Sequence, residues 1–168
     1  MFVLSKLSVT AAAFLFTLAG PVMAHGTKTH EKVDRTVAAD AEQMPWGVAG
    51  SAANVDRTID VSMLDKMRFN PQSLRIKQGE TIRFRIRNDG KVLHEFVLGT
   101  QKANDEHAAL MLRFPGMEHD SPYMAHVAAG GMGEIIWQFN KPGEFKFACL
   151  IAGHYQAGMV GSLEVMAN

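Results

Sequence analysis

The chain of 168 residues holds one cysteine, Cys149. No internal disulfide can form, so a fold of this length has to rest on its apolar core. Charge of one sign is also lacking: 17 Lys and Arg against 17 Asp and Glu leave a formal net charge of zero. A nucleic-acid binder would need a basic face, which this balance does not suggest. Beyond residue 24 there is no apolar run long enough to span a bilayer as a helix. Histidines in His-x-His spacing are missing, and none adjoins Cys149. Methionine is the residue in excess, with 11 copies, several of them close to histidines.

The first 24 residues read as a secretory leader. Lys6 makes a small positive start, "LSVTAAAFLFTLAG" is the apolar stretch, and "VMA" ending at Ala24 is a small-residue cleavage site. The mature protein is therefore expected to be soluble and exported. Export sharpens the meaning of the lone cysteine, because a free thiol in an oxidising compartment is a liability unless it is buried or holds a metal.

Residues 25–57 are polar and rich in Ala and Gly, with no sustained period. They read as a flexible arm, with Met44 and Trp46 available to pin it. From residue 58 to 168 the period becomes two. In "TIRFRIRN" Ile82, Phe84 and Ile86 face one way and Arg83, Arg85 and Arg87 the other, which predicts a half-buried antiparallel strand with a solvated arginine face. "SLRIKQGE" precedes it as a hairpin partner or a sandwich corner. Further strands are expected at "HEFVLG", "GEIIWQF", "EFKFACL" and "GSLEVMA", with a type II turn centred on Pro142 and Gly143. One segment departs from this: "NDEHAALMLRF", 104–114, predicts a short helix capped by Asn104, with His107 exposed on it. The fold class is all-β, a β-sandwich with a short helical insertion.

The chemistry gathers in "FACLIAGHYQAGMVG", residues 147–161. Phe145, Phe147 and Cys149 share one strand face, so the thiol sits at the core end of a strand. Gly153 and Gly158 let the following loop fold back, bringing His154 and Met159 toward Cys149. Two histidines and a cysteine with a weak axial methionine form the type 1 copper arrangement, and His94, after an Asn-Asp-Gly turn, supplies the second imidazole. Taken alone, Cys149 reads equally well as a structural cysteine. Zinc would suit the cysteine and histidines, but methionine is a poor ligand for it.

His94 with the C-x4-H-x4-M loop of Cys149, His154 and Met159 resembles the cupredoxins, over roughly residues 58–168. The resemblance implies a Greek-key sandwich, one type 1 copper and electron-transfer capability. The strings "LHEFVLGT", "MEHDSPYMAH" and "FACLIAGHYQAGMVG" are more narrowly similar to periplasmic copper-tolerance cupredoxins of the CopI type. That likeness implies copper handling in the periplasm and, in some members, a green centre. It also implies that the edge of His154 reaches the surface, with Leu150, Ile151, Ala152 and Ala157 as an apolar rim.

Other residues offer accessory copper sites. Cleavage after Ala24 would leave His25 with a free amine and an imidazole for one ion, and His30 nearby. Met117, His119, Met124 and His126 fall within ten residues. They read equally as a copper loop or as two packing methionines and two solvated histidines. An enzyme is disfavoured, since further histidine-rich sites are absent, although oxidation of copper(I) stays open. A second cysteine for a binuclear copper site is also missing. The resulting expectation is a periplasmic type 1 copper protein acting in copper tolerance, with copper ions and a periplasmic redox protein as partners. The alternative is a simple single-electron carrier.

Overall fold

The computed structural model describes residues 41–117 and 119–168. The expected leader (1–24), the arm as far as residue 40, and with them His25 and His30, lie outside the described residues. Ten strands and one α-helix are found among those described. They are β1 (Val48–Ala49), β2 (Arg57–Leu64), β3 (Arg68–Asn70), β4 (Ser73–Lys77), β5 (Thr81–Asn88), β6 (His94–Gly99), α1 (Gln101–Arg113), β7 (Met124–Val127), β8 (Met132–Gln138), β9 (Gly143–Ala148) and β10 (Val160–Met166).

Two five-stranded sheets face each other, in the orders β1-β8-β5-β2-β3 and β4-β10-β9-β6-β7. Both are mixed. β5 runs antiparallel to β8, as its alternation predicts, but parallel to β2; β4 runs parallel to β10. Period-two patterning reports which face is buried and is blind to strand direction. β4 and β5 are not a hairpin: they lie in different sheets, so Gln78–Glu80 turn a corner of the sandwich. Gly143 is not the inner residue of a type II turn. Its φ of 149° is far from the value such a turn needs, and it already pairs with Val165 as the first residue of β9.

The inward residues make the core. Ile82, Phe84 and Ile86 are fully buried, while the arginines between them pair outward with acids: Arg83 with Glu134, Arg85 with Asp60, Arg87 with Asp89. A cluster of rings locks the two sheets together. Phe69 and Phe84 from one sheet meet Phe96 from the other at 5.8 and 5.4 Å, and Phe147 lies 5.1 Å from both Phe69 and Phe96. Such contacts add to the burial of the rings themselves. Within the stretch read as the arm, Trp46 is 4% exposed, and its carbonyl accepts the Trp137 indole N–H at 2.9 Å.

The helix begins earlier than its pattern suggests. Thr100, not Asn104, is the N-cap: its hydroxyl accepts the Ala103 N–H at 3.0 Å. Asn104 is buried instead, against the bare backbone of Gly99. The polar run "QKANDE" hid the first turn. Ala108 and Met111 on the inner face of α1 pack on Val97, Met124, Ala148 and Leu150, forming a second small core. β6 is accordingly buried along its whole length, since its outer face lies under the helix.

Gly161 in β10 lies against the Phe147 ring; a Cβ there would fall 2.1 Å from it. Gly161→Ala is expected to destabilise the fold by about 1–3 kcal/mol through overpacking. The check is a denaturant melt, and an unchanged midpoint would contradict the packing described.

Candidate metal centre

Antiparallel pairing of β9 with β6 and with β10 brings three chain segments to one end of the sandwich. β9 ends at Ala148, so Cys149 is the first residue to leave the sheet, with its side chain still on the core side and fully buried. Met159 immediately precedes β10. Its carbonyl accepts the Cys149 N–H at 3.1 Å, and its own N–H donates to the His154 carbonyl at 3.1 Å. The loop is thereby closed across its base. Gly153 and Gly158, with φ of 91° and 87°, make the reversals that a side chain would disfavour. Two outside clamps hold it: Arg68 donates to the carbonyls of Ala157 and Gly158, and the Tyr155 hydroxyl donates to Asp105 on α1 at 2.6 Å.

His94 opens β6. The loop before it is shaped by Asn88, fully buried, whose amide donates to the carbonyls of Val92 and Val127 and whose oxygen accepts the Gly90 N–H. Cys149 Sγ lies 3.3 Å from His154 Nδ1 and 4.0 Å from His94 Nδ1. One donor atom from each of His94, Cys149 and His154 falls within 4.8 Å of the others. Met159 is buried in the same core cluster as Cys149. The two imidazoles sit 5.0 Å apart between ring centroids.

The electrostatics favour a cation. Burial pushes the Cys149 thiol up to about 12, only partly offset by N–H groups of Glu95 and Ile151. A bare thiolate is disfavoured there, and a bound metal is the ordinary way to stabilise it. Burial, and then the neighbouring His94, also hold His154 below its usual range, which favours the neutral imidazole that metal binding requires. This set of a soft sulfur, two imidazoles and a buried thioether fits copper, and the arrangement is that of a type 1 centre.

Two flanking carboxylates escape sequence reasoning. Asp65, just after β2, accepts the Lys91 N–H at 2.8 Å and faces His94 Nε2 at 3.2 Å. The Lys91 N–H first, and the His94 ring among lesser causes, hold its carboxyl below the usual range. This contact orients the ring so that Nδ1 points at the sulfur. Nothing in "SMLDKMRF" signals it. Glu95 donates its N–H to Cys149 Sγ at 3.3 Å, and its carboxylate accepts the Leu150 N–H at 3.2 Å. Its signal was a charge inside the otherwise apolar "HEFVLG".

The remaining candidates separate. Met124 is fully buried in the small core beneath α1. His119 and His126 approach each other, with ring centroids 6.4 Å apart, and His107 joins them, 4.5 Å from His119. His107 is thus half-buried rather than exposed, and burial, then His119, lowers its pKa. Met117 is 37% exposed and lines a cleft of about 440 Å³ with His107 and His119. Leu150 is not part of an exposed rim; it is buried under the helix, whereas Val92 and Leu93 beside His94 are exposed.

Fold and donor set together define a copper protein of the cupredoxin class. The family model described as "Copper binding proteins, plastocyanin/azurin family" matches residues 53–166, and the chain belongs to that family. It is 50% identical over 121 residues to the copper-resistant cuproprotein CopI of Rubrivivax gelatinosus, covering 72% of this chain and 73% of that one. To the CopI of Pseudomonas aeruginosa it is 36% identical over 157 residues, covering 76% and 86%. Auracyanin B shares the fold at a TM-score of 0.59 and 22% identity, over 76% of this chain and 99% of that one.

Because the Cys149 proton must leave when a metal binds, copper affinity is expected to rise with pH, its logarithm by about one per pH unit from this group alone. Competition titrations between pH 6 and 8 test this, and a flat profile would contradict a protonated apo thiol. Asp65→Asn removes a negative charge beside His94 and is expected to raise the reduction potential, more at low than at high ionic strength. Redox titration of the copper-loaded variant is the check.

Proposed function

We propose that the chain is a periplasmic copper-tolerance protein in which His94, Cys149, His154 and Met159 hold one type 1 copper. The observation that carries this is the convergence of the three donor atoms within 4.8 Å on a buried cysteine. Its relatives of 31–50% identity, named copper-resistant cuproproteins, support the tolerance role. Export rests on the leader-like residues 1–24, with cleavage after Ala24. Among the described residues no helix is long and apolar enough to cross a membrane.

Copper held there supplies a one-electron couple. The protein's share is to keep the donors still. The Met159–Cys149 and His154–Met159 backbone bonds, the Arg68 clamp and the Tyr155–Asp105 bond hold the loop. Donors that cannot move with oxidation state keep the reorganisation barrier low. His154 is only half-buried, so its ring offers electrons a way to the surface and to a periplasmic redox protein. Among the described residues the accessory candidates are His107, His119 and His126 with Met117 at the cleft edge; His25 and His30 remain a separate candidate pair in the sequence.

The deciding experiment is the visible spectrum of the mature protein with Cu(II), beside Cys149→Ser. An intense thiolate-to-copper band that disappears in the variant is expected, and its wavelength tells blue from green. Absence of the band in folded, reduced protein would end the type 1 assignment. Copper stoichiometry then separates handling from simple electron carriage. More than one tightly held ion, lost when His119 or His25 is altered, is expected for handling; one ion, indifferent to those changes, indicates a carrier.

A further inference from the structure

The turn between β2 and β3, residues 65–67, belongs to the sheet opposite the ligand loop, yet it reaches the centre from both of its ends. It is closed by the pairing of Leu64 with Arg68 and by the Met67 N–H, which donates to the Leu64 carbonyl at 2.9 Å. Met67 takes a left-handed φ of 59°, uncommon for a residue with a side chain. At one end Asp65 faces His94 Nε2. At the other the half-buried Arg68 extends over the loop that carries Met159. Arg68 Nη1 donates to the carbonyls of Met67 at 2.7 Å, Ala157 at 3.1 Å and Gly158 at 3.2 Å. It lies against the bare Gly158 backbone, where a Cβ would fall 3.2 Å from it. The Gly158 carbonyl belongs to the peptide that leads into Met159. The N–H of that peptide donates to the His154 carbonyl, and the Met159 carbonyl accepts the Cys149 N–H, both at 3.1 Å. Those two bonds tie Met159 to other candidate ligands; the Arg68 bond ties it to the opposite sheet. Phe69, next to Arg68, is 2% exposed and meets Phe147 at 5.1 Å, so the strand carrying the guanidinium is itself fixed in the core.

We propose that Arg68 is a positioning residue for the axial donor: reaching from the opposite sheet, its guanidinium fixes how closely the Met159 thioether approaches the centre, and so sets the colour and potential of the copper. The inference deepens the type 1 assignment above and rests on it. Thiolate and imidazoles hold copper strongly, whereas the thioether is the weak donor of such a set. Its approach is therefore left to the backbone that carries it, and the axial ligand in turn tunes the potential. A charge-assisted bond from a guanidinium to a peptide carbonyl is stronger than a neutral one and resists displacement of that backbone. Arg68 acts through the Gly158–Met159 peptide, not as a ligand. Its positive charge by itself favours the reduced state, but that contribution is screened by salt and leaves the ligand geometry, and with it the spectrum, unaltered.

The test compares Arg68→Ala and Arg68→Lys with the unaltered mature protein, each loaded with Cu(II). Three quantities are read: the intensity ratio of the shorter- to the longer-wavelength thiolate-to-copper band, the reduction potential at low and high salt, and, in copper-free protein, hydrogen exchange at the Met159 amide. Arg68→Ala is expected to change the band ratio and to move the potential in a way that persists at high salt. Exchange at Met159 should quicken about tenfold, the effect of one charged hydrogen bond lost. Copper affinity should fall about tenfold. Arg68→Lys, which keeps the charge and a donor, should restore most of the band ratio. Arg85→Ala removes a like charge from the outer face of β5 and should leave the ratio unchanged. If Arg68→Ala does not fold, Arg68→Leu serves, since it keeps an apolar stem without a donor. An unchanged band ratio overturns the proposal even where the melting temperature falls, because Arg68 would then only stabilise the fold. A potential shift that vanishes at high salt, with the ratio fixed, reduces Arg68 to a charge and overturns it too. A ratio that changes equally in Arg85→Ala overturns it as well. Absence of any thiolate-to-copper band in the unaltered protein overturns the type 1 assignment and the inference with it.

Discussion

The metal centre depends on how three strand ends are tied together. β9 lies between β6 and β10, and the last bonds of both pairings fall where the chain leaves the sheet. Cys149 continues that ladder by donating its N–H to Met159 and accepting from Glu95 on its sulfur. Its side chain is therefore placed by backbone bonds on both sides, without reliance on a flexible side-chain rotamer. His94 and Met159 are adjacent to the same bonds, so all three inherit the rigidity of the sheet. The ring cluster of Phe69, Phe96 and Phe147 lies directly beneath and keeps the sheets from sliding.

Around this frame, charge is distributed unevenly. The sulfur is buried where a lone thiolate is disfavoured, yet two carboxylates stand close by, Asp65 behind His94 and Glu95 beside the sulfur. Such a setting resists an empty ionised state and welcomes a cation. The helix α1 contributes twice. It buries the outer face of β6, which makes Glu95 an interior residue, and through Asp105 it holds Tyr155 in the ligand loop. An element that sequence patterning marks as an insertion is thus part of how the centre is built.

Much was legible beforehand, and the misses have physical causes. The strand at "HEFVLG" and the loop from Cys149 to Met159 follow from period and spacing, which are local properties. Strand direction in β5 was not local, because alternation is the same in parallel and antiparallel pairs. Asn104 looked like a cap because its chemistry suits one; Thr100 won because strand β6 ends just before it. Met124 has the look of a soft ligand, yet hydrophobic packing against Val97 and Leu150 claims it. His107 sits on an exposed-looking helix and is drawn in by His119.

The sequence alone determined the kind of chemistry: one soft sulfur, two imidazoles and a thioether in an order that only a folded-back loop can use. Those are covalent identities and short spacings, and they survive without any knowledge of packing. The tertiary structure decided which groups face the ligands from afar. Asp65 lies 29 residues before His94, and His126 lies 31 after Glu95, yet both are at hydrogen-bond distance. Contacts of that separation are made by sheet pairing and by the helix laid over β6, and no local pattern in the chain encodes them.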